Sequence, residues 1–206
     1  MNILFLTHND ITEKLSNAMV GMSNMVIRTN SVITTSTLDN LNEKLNGFDS
    51  GIGMIVSYNY LNIIGQDIID YMDGRIINLH ISLLPWNRGF DPNFWSFIDN
   101  TPKGITIHLV DSGIDTGDIL LQKKMVMNDS ETLSSSYKKL HEEMYKLCMD
   151  NWEDLSNFDI IPKPPVGSGT SHYKKDAKKI RDMFGESLWD IPINELRYKI
   201  KKMGVL

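Results

Sequence analysis

The sequence has one cysteine, Cys148, among its 206 residues. A single thiol cannot form a disulfide within the chain, which favours a reducing, cytoplasmic location. No apolar run approaches the roughly 18 residues that a membrane span needs. The N-terminus, MNILFLTHND, also lacks the basic segment and the small-residue cleavage site of a signal peptide. We therefore expect a soluble chain with no membrane partner.

Positive charge is scarce as well. The chain has 21 Lys and Arg against 26 Asp and Glu, and its net charge is −5. The basic residues cluster late, in HYKKDAKKIRD and RYKIKK, with a spacing more typical of the solvated faces of helices than of a nucleic-acid surface. No Cys/His cluster with zinc-ligand spacing occurs. We expect no nucleic acid partner and no metal.

Apolar runs alternate with segments of helical spacing. Strand-like runs occupy 3–7, 25–28, 53–57 and 75–79, and Leu38, Leu41 and Leu45 between two of them recur at helical intervals. This alternation predicts an α/β fold with a doubly wound, mostly parallel sheet. Ligands of such sheets bind at the carboxyl ends of the strands. Two further strand-like runs, ITIHLV and ILLQKKMV, flank an Asp- and Gly-rich turn.

The part of the chain after His80 contains two predicted helices and a composition break. A short helix is expected near 93–98, and a long amphipathic helix is expected to begin at Asp129 or Ser130, since either residue is a good N-cap. Prolines and glycines in IPKPPVGSGTSHY disfavour regular structure. We predict a catalytic domain over 1–156 and, over 157–206, a loop with a short C-terminal helical extension packed on the same domain.

Three polar residues indicate a site for proton transfer. Asn78 and His80 stand two apart on the apolar segment RIINLH, so a strand would present them on one face, and Asp115 follows in DSGIDTGD. Each has a structural alternative: a lone Asn can satisfy nearby backbone, a lone His can be a packing residue, and any Asp in the turn can bond backbone N–H groups. Their joint occurrence favours catalysis, with Asp118 as the residue that braces the loop.

The motifs around these residues resemble the formyltransferase family, whose members transfer a formyl group from 10-formyltetrahydrofolate to an amine. INLHISLLPWNRG and GITIHLVDSGIDTGDILLQ carry the resemblance, which covers about 53–123. It implies a Rossmann-like formyltransferase fold and catalytic roles for Asn78, His80 and Asp115. It also implies a folate pocket with 10-formyltetrahydrofolate as the formyl donor. That pocket would be formed on one side by Tyr60, Leu61, Asn62, Ile63 and Ile64 and on the other by Val110, Asp111 and Ile114, although Ile64 could equally pack a helix start.

The chemistry of formyl transfer explains these residue types. Attack of an amine on the formyl carbon creates an oxyanion, to which Asn78 can donate an N–H group. His80 can relay protons or add positive charge as imidazolium. Asp115 can orient His80 or receive the proton through water. The residue that formally accepts the proton is left open between His80 and Asp115.

The amine acceptor is inferred mainly from features that the sequence lacks. Among related enzymes, methionyl-tRNA formyltransferases have an additional C-terminal domain and a basic surface, and formyltetrahydrofolate hydrolases have an N-terminal regulatory domain. Glycinamide ribonucleotide formyltransferases have a glycine-rich phosphate loop where this chain reads THNDITEKLSN. The resemblance is therefore to sugar N-formyltransferases, which act on nucleotide-linked amino sugars such as dTDP-4-amino-4,6-dideoxyglucose destined for surface polysaccharides such as lipopolysaccharide O-antigen.

The tract PWNRGFDPNFWSF is especially similar to the sugar enzymes. Trp86 would stack on a base or sugar and Arg88 would contact phosphate, although Trp86 and Trp95 could instead pack in a core or subunit interface. The further acceptor-side candidates are His8, Asn9, Asp10, Ser171, His172 and Tyr173. The 3-amino and 4-amino positions both stay open, and a homodimer is expected. The alternatives are a purine-pathway glycinamide ribonucleotide formyltransferase and a non-catalytic module that binds folate or a nucleotide.

Overall fold

The computed structural model describes residues 1–23, 25–45 and 51–204. The chain divides into two compact units. Unit 1 comprises 1–80, 107–121 and 145–165, and unit 2 comprises 81–106, 122–144 and 166–206. The domain boundary expected after residue 156 stays a prediction.

Eight strands and eight α-helices are found in the described ranges. The strands are β1 (Asn2–Leu6), β2 (Met25–Thr29), β3 (Ile52–Tyr58), β4 (Ile76–His80), β5 (Arg88–Gly89), β6 (Lys103–Leu109), β7 (Ile119–Met125) and β8 (Ser171–His172). The helices are α1 (Glu13–Val20), α2 (Thr35–Leu45), α3 (Gln66–Tyr71), α4 (Pro92–Ile98), α5 (Leu133–Asp150), α6 (Trp152–Asn157), α7 (Lys174–Phe184) and α8 (Ile193–Lys202). Short 3-10 helices occupy Asp10–Thr12 and Gly185–Trp189.

Six strands form a mixed, mostly parallel sheet in the order β2-β1-β3-β4-β6-β7, and β5 pairs with β8 separately. β1 runs parallel to β2 and β3, and β3 runs parallel to β4. In β6 the N–H of Leu109 donates to the carbonyl oxygen of Asp118, and Gly104 lies against the carbonyl oxygen of Lys123. Residue numbers thus rise along β6 as they fall along β7, so these two strands run antiparallel. The predicted α/β fold class with a mostly parallel sheet is confirmed.

The burial of the strands in the core of unit 1 explains why the sequence predicts them. Residues on both faces of β1 and β3 are buried, as expected for parallel strands covered by helices. α2 and α3 pack one side through Leu38 and Ile68, which join a cluster with Leu4, Ile55 and Ile76. The strand ends near Asn78 are therefore held by a rigid apolar layer.

Unit 2 has a core of its own. Phe94, Trp95 and Phe97 of α4 pack with Ile180 of α7 and Leu196 of α8, among others. Trp95 is almost fully buried, so the packing alternative is correct for this residue. The two late basic segments do form helices, as predicted.

The predicted start of α5 was wrong. The helix begins at Leu133, and the preceding Thr132 exchanges bonds with Ser135: each hydroxyl oxygen accepts the other residue's backbone N–H at 3.0 Å. This reciprocal pairing satisfies two donors at the helix start. Asp129 does not cap the helix, because its carboxylate accepts from the Arg197 guanidinium at 2.8 Å. Ser130 instead donates its hydroxyl to Asn128.

Replacing Gly117 by alanine is expected to destabilise the fold by about 2 kcal/mol, because a Cβ there meets backbone that cannot yield. The added atom would lie 1.9 Å from the carbonyl oxygen of Leu109 at the end of β6. Urea unfolding measures the loss. Gly21→Ala is the control, since its Cβ would lie 3.6 Å from the carbonyl oxygen of Ala18, an ordinary contact, and its φ of −72° suits alanine. Its cost should stay below about 1 kcal/mol, and equal losses in the two variants would contradict the steric argument.

Within the described ranges, every helix is too short or too polar to cross a membrane.

Candidate active site

β4 and the loop between β6 and β7 build the site in unit 1. Asn78 and His80 lie at the carboxyl end of β4, in alternate positions that share one face. Asp115 lies in the loop with a φ of 52°, a left-handed conformation that Asp tolerates better than most residues. Asp111 stabilises this loop, since its Oδ1 accepts from the N–H of Gly113 at 3.1 Å and from the Thr116 hydroxyl at 2.7 Å.

This arrangement corrects one prediction about the loop. We expected Asp118 to brace it, but the carboxylate that does so is that of Asp111. Asp118 contributes its backbone carbonyl, which accepts from the N–H of Leu109 at 2.9 Å, and its side chain is exposed. Asp111 was predicted to contact folate, and its Oδ1 is already engaged within the loop.

The three predicted catalytic residues come together. The amide Nδ2 of Asn78 donates to Oδ1 of Asp115 at 3.0 Å. The other carboxylate oxygen, Oδ2, lies 3.4 Å from Nδ1 of His80. That separation is within ion-pair range and longer than an ordinary hydrogen bond. Asp115 therefore bridges an amide and an imidazole through its two oxygens.

His108 joins Asn78, His80 and Asp115 in one polar cluster, and the sequence analysis did not predict it. Its Nε2 lies 3.1 Å from Asn78 Nδ2 and 3.5 Å from Asp115 Oδ1, and it is buried. Its Nδ1 lies 2.7 Å from the carbonyl oxygen of Leu109. A carbonyl oxygen only accepts, so Nδ1 carries the proton, and in the neutral ring Nε2 accepts from Asn78. His108 thereby orients the amide, with its ring edge-on to that of His80 at 6.3 Å.

This network accounts for both N–H groups of the Asn78 amide. One is directed to Asp115 and the other to His108. The predicted donation from Asn78 to an oxyanion therefore requires one of these bonds to be exchanged. A developing oxyanion is a stronger acceptor than a neutral imidazole nitrogen, so the exchange with His108 becomes favourable as negative charge forms.

The site is largely removed from solvent. The side chains of His80 and Asp115 are 7% and 13% exposed, and that of His108 is 2% exposed. Charges in such surroundings interact more strongly than in water. Asp115 can fix the tautomer of the His80 imidazole and stabilise that ring when it is protonated. The amide of Asn78 can donate an N–H to a developing negative charge.

The predicted folate wall after β3 is fixed by polar contacts. The Tyr60 hydroxyl donates to the carbonyl oxygen of Ser31 at 2.6 Å, and the Asn62 amide donates to that of Asn30 at 3.1 Å. These bonds tie the loop to the segment after β2. The apolar side chains of the two predicted walls, after β3 and between β6 and β7, divide into two groups. Tyr60, Ile64 and Val110 pack against the core of unit 1, whereas Leu61, Ile63 and Ile114 are exposed.

Residues 8–10 have structural contacts of their own. His8 accepts the N–H of Leu61 through Nδ1 at 3.1 Å, so it supports the predicted folate wall. Asn9 caps the first 3-10 helix, since its Oδ1 accepts the N–H of Ile11 at 3.1 Å. Asp10 is exposed, and its Oδ1 lies 3.6 Å from Nη2 of Arg28. Their predicted role in acceptor binding stays a prediction.

The remaining candidates lie in unit 2. Arg88 donates from Nη2 to the carbonyl oxygen of Ser168 at 3.0 Å, while Trp86 is half-buried. Ser171, in β8, is exposed. The His172 ring stacks flat on the Trp95 ring, with the ring centres 3.9 Å apart, and its Nε2 lies 2.7 Å from Oδ2 of Asp99. The His172 side chain is therefore engaged within unit 2. Tyr173, which precedes α7, is exposed. The structure does not test these five as substrate contacts.

Two other chemistries have no support in the described residues. Burial raises the pKa of the Cys148 thiol to about 12, so a nucleophilic thiolate does not form at neutral pH. Across 1–23, 25–45 and 51–204, no group of three or more His, Cys, Asp or Glu residues is arranged to hold a metal ion.

Comparison with known proteins finds similar sequences and similar folds. The family model described as formyl transferase matches residues 23–151, well over half of the chain. Among solved structures, the formyltransferase PseJ from Anoxybacillus kamchatkensis, in complex with UDP-4,6-dideoxy-4-formamido-L-AltNAc and tetrahydrofolate, superposes with a TM-score of 0.81. It is 33% identical, and the match covers 95% of this chain and 97% of that one.

Curated relatives match over shorter stretches. Methionyl-tRNA formyltransferase from Thermodesulfovibrio yellowstonii is 34% identical over 69% of this chain and 46% of its own length. dTDP-4-amino-4,6-dideoxyglucose formyltransferase from Mycobacterium bovis is 30% identical over 53% of this chain and 47% of its own length. The chain thus spans about half the length of the curated relatives it matches.

Proposed function

Because the chain belongs to the formyltransferase family, we propose that it transfers a formyl group from 10-formyltetrahydrofolate to the amine of a nucleotide-linked 4-amino-4,6-dideoxy sugar. The observation that carries this proposal is the match to PseJ, which spans nearly all of both chains at 33% identity. The methionyl-tRNA formyltransferase match, at similar identity, leaves more than half of that enzyme unmatched.

The nucleotide carrier in this proposal is UDP. The sequence suggested dTDP-4-amino-4,6-dideoxyglucose as an example, and a dTDP-sugar enzyme is indeed among the relatives. PseJ, however, matches over a greater share of both chains and holds a UDP-linked 4-formamido sugar. The substrate we propose is therefore the amine that corresponds to that formamide, UDP-linked 4-amino-4,6-dideoxy-AltNAc.

The proposed reaction forms one C–N bond and breaks another. The sugar amine attacks the formyl carbon, and the C–N10 bond of the tetrahedral intermediate then breaks. A proton leaves the attacking nitrogen and one is added to N10, so that the products are the formamide and tetrahydrofolate. The protein must therefore stabilise one oxyanion and exchange protons in both steps.

The geometry of the cluster suits these two tasks. Asp115 Oδ2 favours the His80 tautomer that carries its proton on Nδ1, which leaves Nε2 as the basic nitrogen. Once His80 is protonated, the carboxylate stabilises the imidazolium, whose charge in turn stabilises the oxyanion. Asn78 gives its second N–H to that oxyanion in exchange for His108. This last interaction strengthens only as charge develops, which is what lowers a barrier.

A panel of acceptors tests the proposal. Purified protein with 10-formyltetrahydrofolate should release tetrahydrofolate most efficiently with the UDP-linked 4-amino sugar. We expect kcat/KM to be at least about 10²-fold lower with the dTDP-linked 4-amino sugar, with a 3-amino isomer, with glycinamide ribonucleotide and with methionyl-tRNA, a discrimination that enzymes reach when they hydrogen-bond a group of their own substrate. Mass spectrometry of the product fixes the formylated nitrogen.

Each of the other possible outcomes of this assay would support a different function. Preferred turnover of glycinamide ribonucleotide would establish the purine-pathway alternative, and preferred turnover of methionyl-tRNA would establish the tRNA enzyme. Folate binding without turnover of any amine would establish a non-catalytic module.

A homodimer and a cytoplasmic location stay predictions. Sedimentation in solution measures whether the protein is a dimer.

A further inference from the structure

A cavity lies in unit 1, away from the candidate active site. It has a volume of about 480 Å³ and is lined by Met22, Ser23, Arg75, Trp152, Ser156 and Asn157, among others. Arg75 directly precedes β4, whose opposite end carries His80. Five residues of extended strand separate the two by roughly 16 Å, so the two sites are distinct.

Arg75 is the one charged side chain among the described residues that line this cavity. Its Nε donates to the carbonyl oxygen of Gly53 at 2.8 Å, and its guanidinium carbon lies 4.5 Å from the centre of the Phe158 ring. These two contacts hold the planar group in place. Among the described residues, its Nη2 meets only the sulfur of Met1, a weak acceptor, at 3.9 Å.

The charge of Arg75 is not balanced nearby. No carboxylate in the described part of the chain lies within ion-pair distance of its guanidinium, whereas Arg28, Arg181 and Arg197 each have one. A half-buried cation that is held rigidly and has no counter-charge favours an anion, and a guanidinium presents paired N–H groups to a carboxylate or phosphate.

The other lining groups suggest the rest of the ligand. Met22 and Trp152 supply apolar and aromatic surface, while Ser23, Ser156 and Asn157 supply small polar groups. The volume lies within the range of small-molecule sites. We propose that this cavity binds a small organic anion, with its carboxylate or phosphate on Arg75 and its apolar part against Met22 and Trp152.

Matched probes test this site without reference to activity. Benzoate and phenyl phosphate carry the proposed chemistry, and benzamide has the shape of benzoate without its charge. Titration of protein labelled with ¹³C at the methionine methyl groups should shift the Met22 resonance saturably with both anions, and at least about tenfold more weakly with benzamide. Met125, in unit 2, should not shift.

Variants assign the effect to Arg75. Arg75→Gln should weaken binding of both anions by about tenfold or more, the usual loss of a charge-assisted bond. Arg28→Gln removes the same charge elsewhere in unit 1 and should leave binding unchanged. Ser156→Trp fills the cavity while leaving Arg75 intact, so it should also abolish the Met22 shift even if Arg75→Gln folds poorly. Unchanged affinity in Arg75→Gln or Ser156→Trp, or no saturable shift with either anion, would overturn the proposal.

Discussion

His80→Ala is expected to lower kcat/KM for formyl transfer by about 10³-fold or more, within the range that positioned acid–base groups contribute. His80 is buried at the end of β4 with its Nδ1 3.4 Å from Asp115 Oδ2, so alanine removes the group that we propose as proton relay and as the cation next to the oxyanion. Steady-state release of tetrahydrofolate measures the loss. His80→Gln should be nearly as inactive, because an amide fills the space but does not exchange protons at neutral pH.

The controls separate catalysis from folding. Tetrahydrofolate affinity and the urea midpoint of His80→Gln should stay close to those of the wild type. Combining His80→Ala with Asp115→Asn should cost little more than His80→Ala alone if the carboxylate acts through the imidazole, as proposed. Additive losses, or a His80→Gln enzyme within tenfold of the wild type, would show that His80 is not the proton relay.

The sheet was predictable because its signal is local. β1, β3 and β4 are apolar runs buried by covering helices, and each end of the predicted spans differs from the observed one by one residue. The start of α5 was not predictable in this way. Asp129 has the composition of an N-cap, but its carboxylate is taken by Arg197. That partner is distant in sequence, and no local pattern reports it.

The site was predictable to the extent that its members follow a periodicity. Asn78 and His80 share a face through their alternation, and Asp115 lies in a turn whose composition stands out. His108 was missed because a histidine inside an apolar strand reads as a packing residue. Its contact with Asn78 depends on β6 lying next to β4, which the sequence order of the strands does not state. One signal was available: His108 lies three residues before Asp111, where the Asp-rich loop begins.

The acceptor side shows a different limit. His8, Asn9 and His172 were selected for their chemistry, and each is engaged by its own surroundings. Polar residues near strand ends also cap helices and tie loops, and the sequence shows the residue type without showing its partner. Leu61 and Ile63 are a contrasting case, because they are apolar and exposed. An exposed apolar surface at a strand end indicates a binding site more specifically than a polar residue there does.

Asp115→Asn is expected to lower kcat by about 10²-fold or more while the fold and the folate affinity are retained. Asparagine tolerates the left-handed conformation found at φ 52°, and its amide oxygen can still accept from Asn78. Its NH₂ group would, however, face His80 Nδ1 and donate to it. The imidazole would then carry its proton on Nε2, which is the wrong tautomer for a base, and its protonated form would lose the adjacent negative charge.

Asp118→Asn is the matched control, because it makes the same change three residues further along the same loop. The side chain of Asp118 is exposed and its backbone carbonyl supplies the contact with Leu109, so turnover should stay within about threefold of the wild type. If Asp115→Asn kept near-normal turnover, or if Asp118→Asn lost it, the carboxylate that orients the imidazole would have to be a different one.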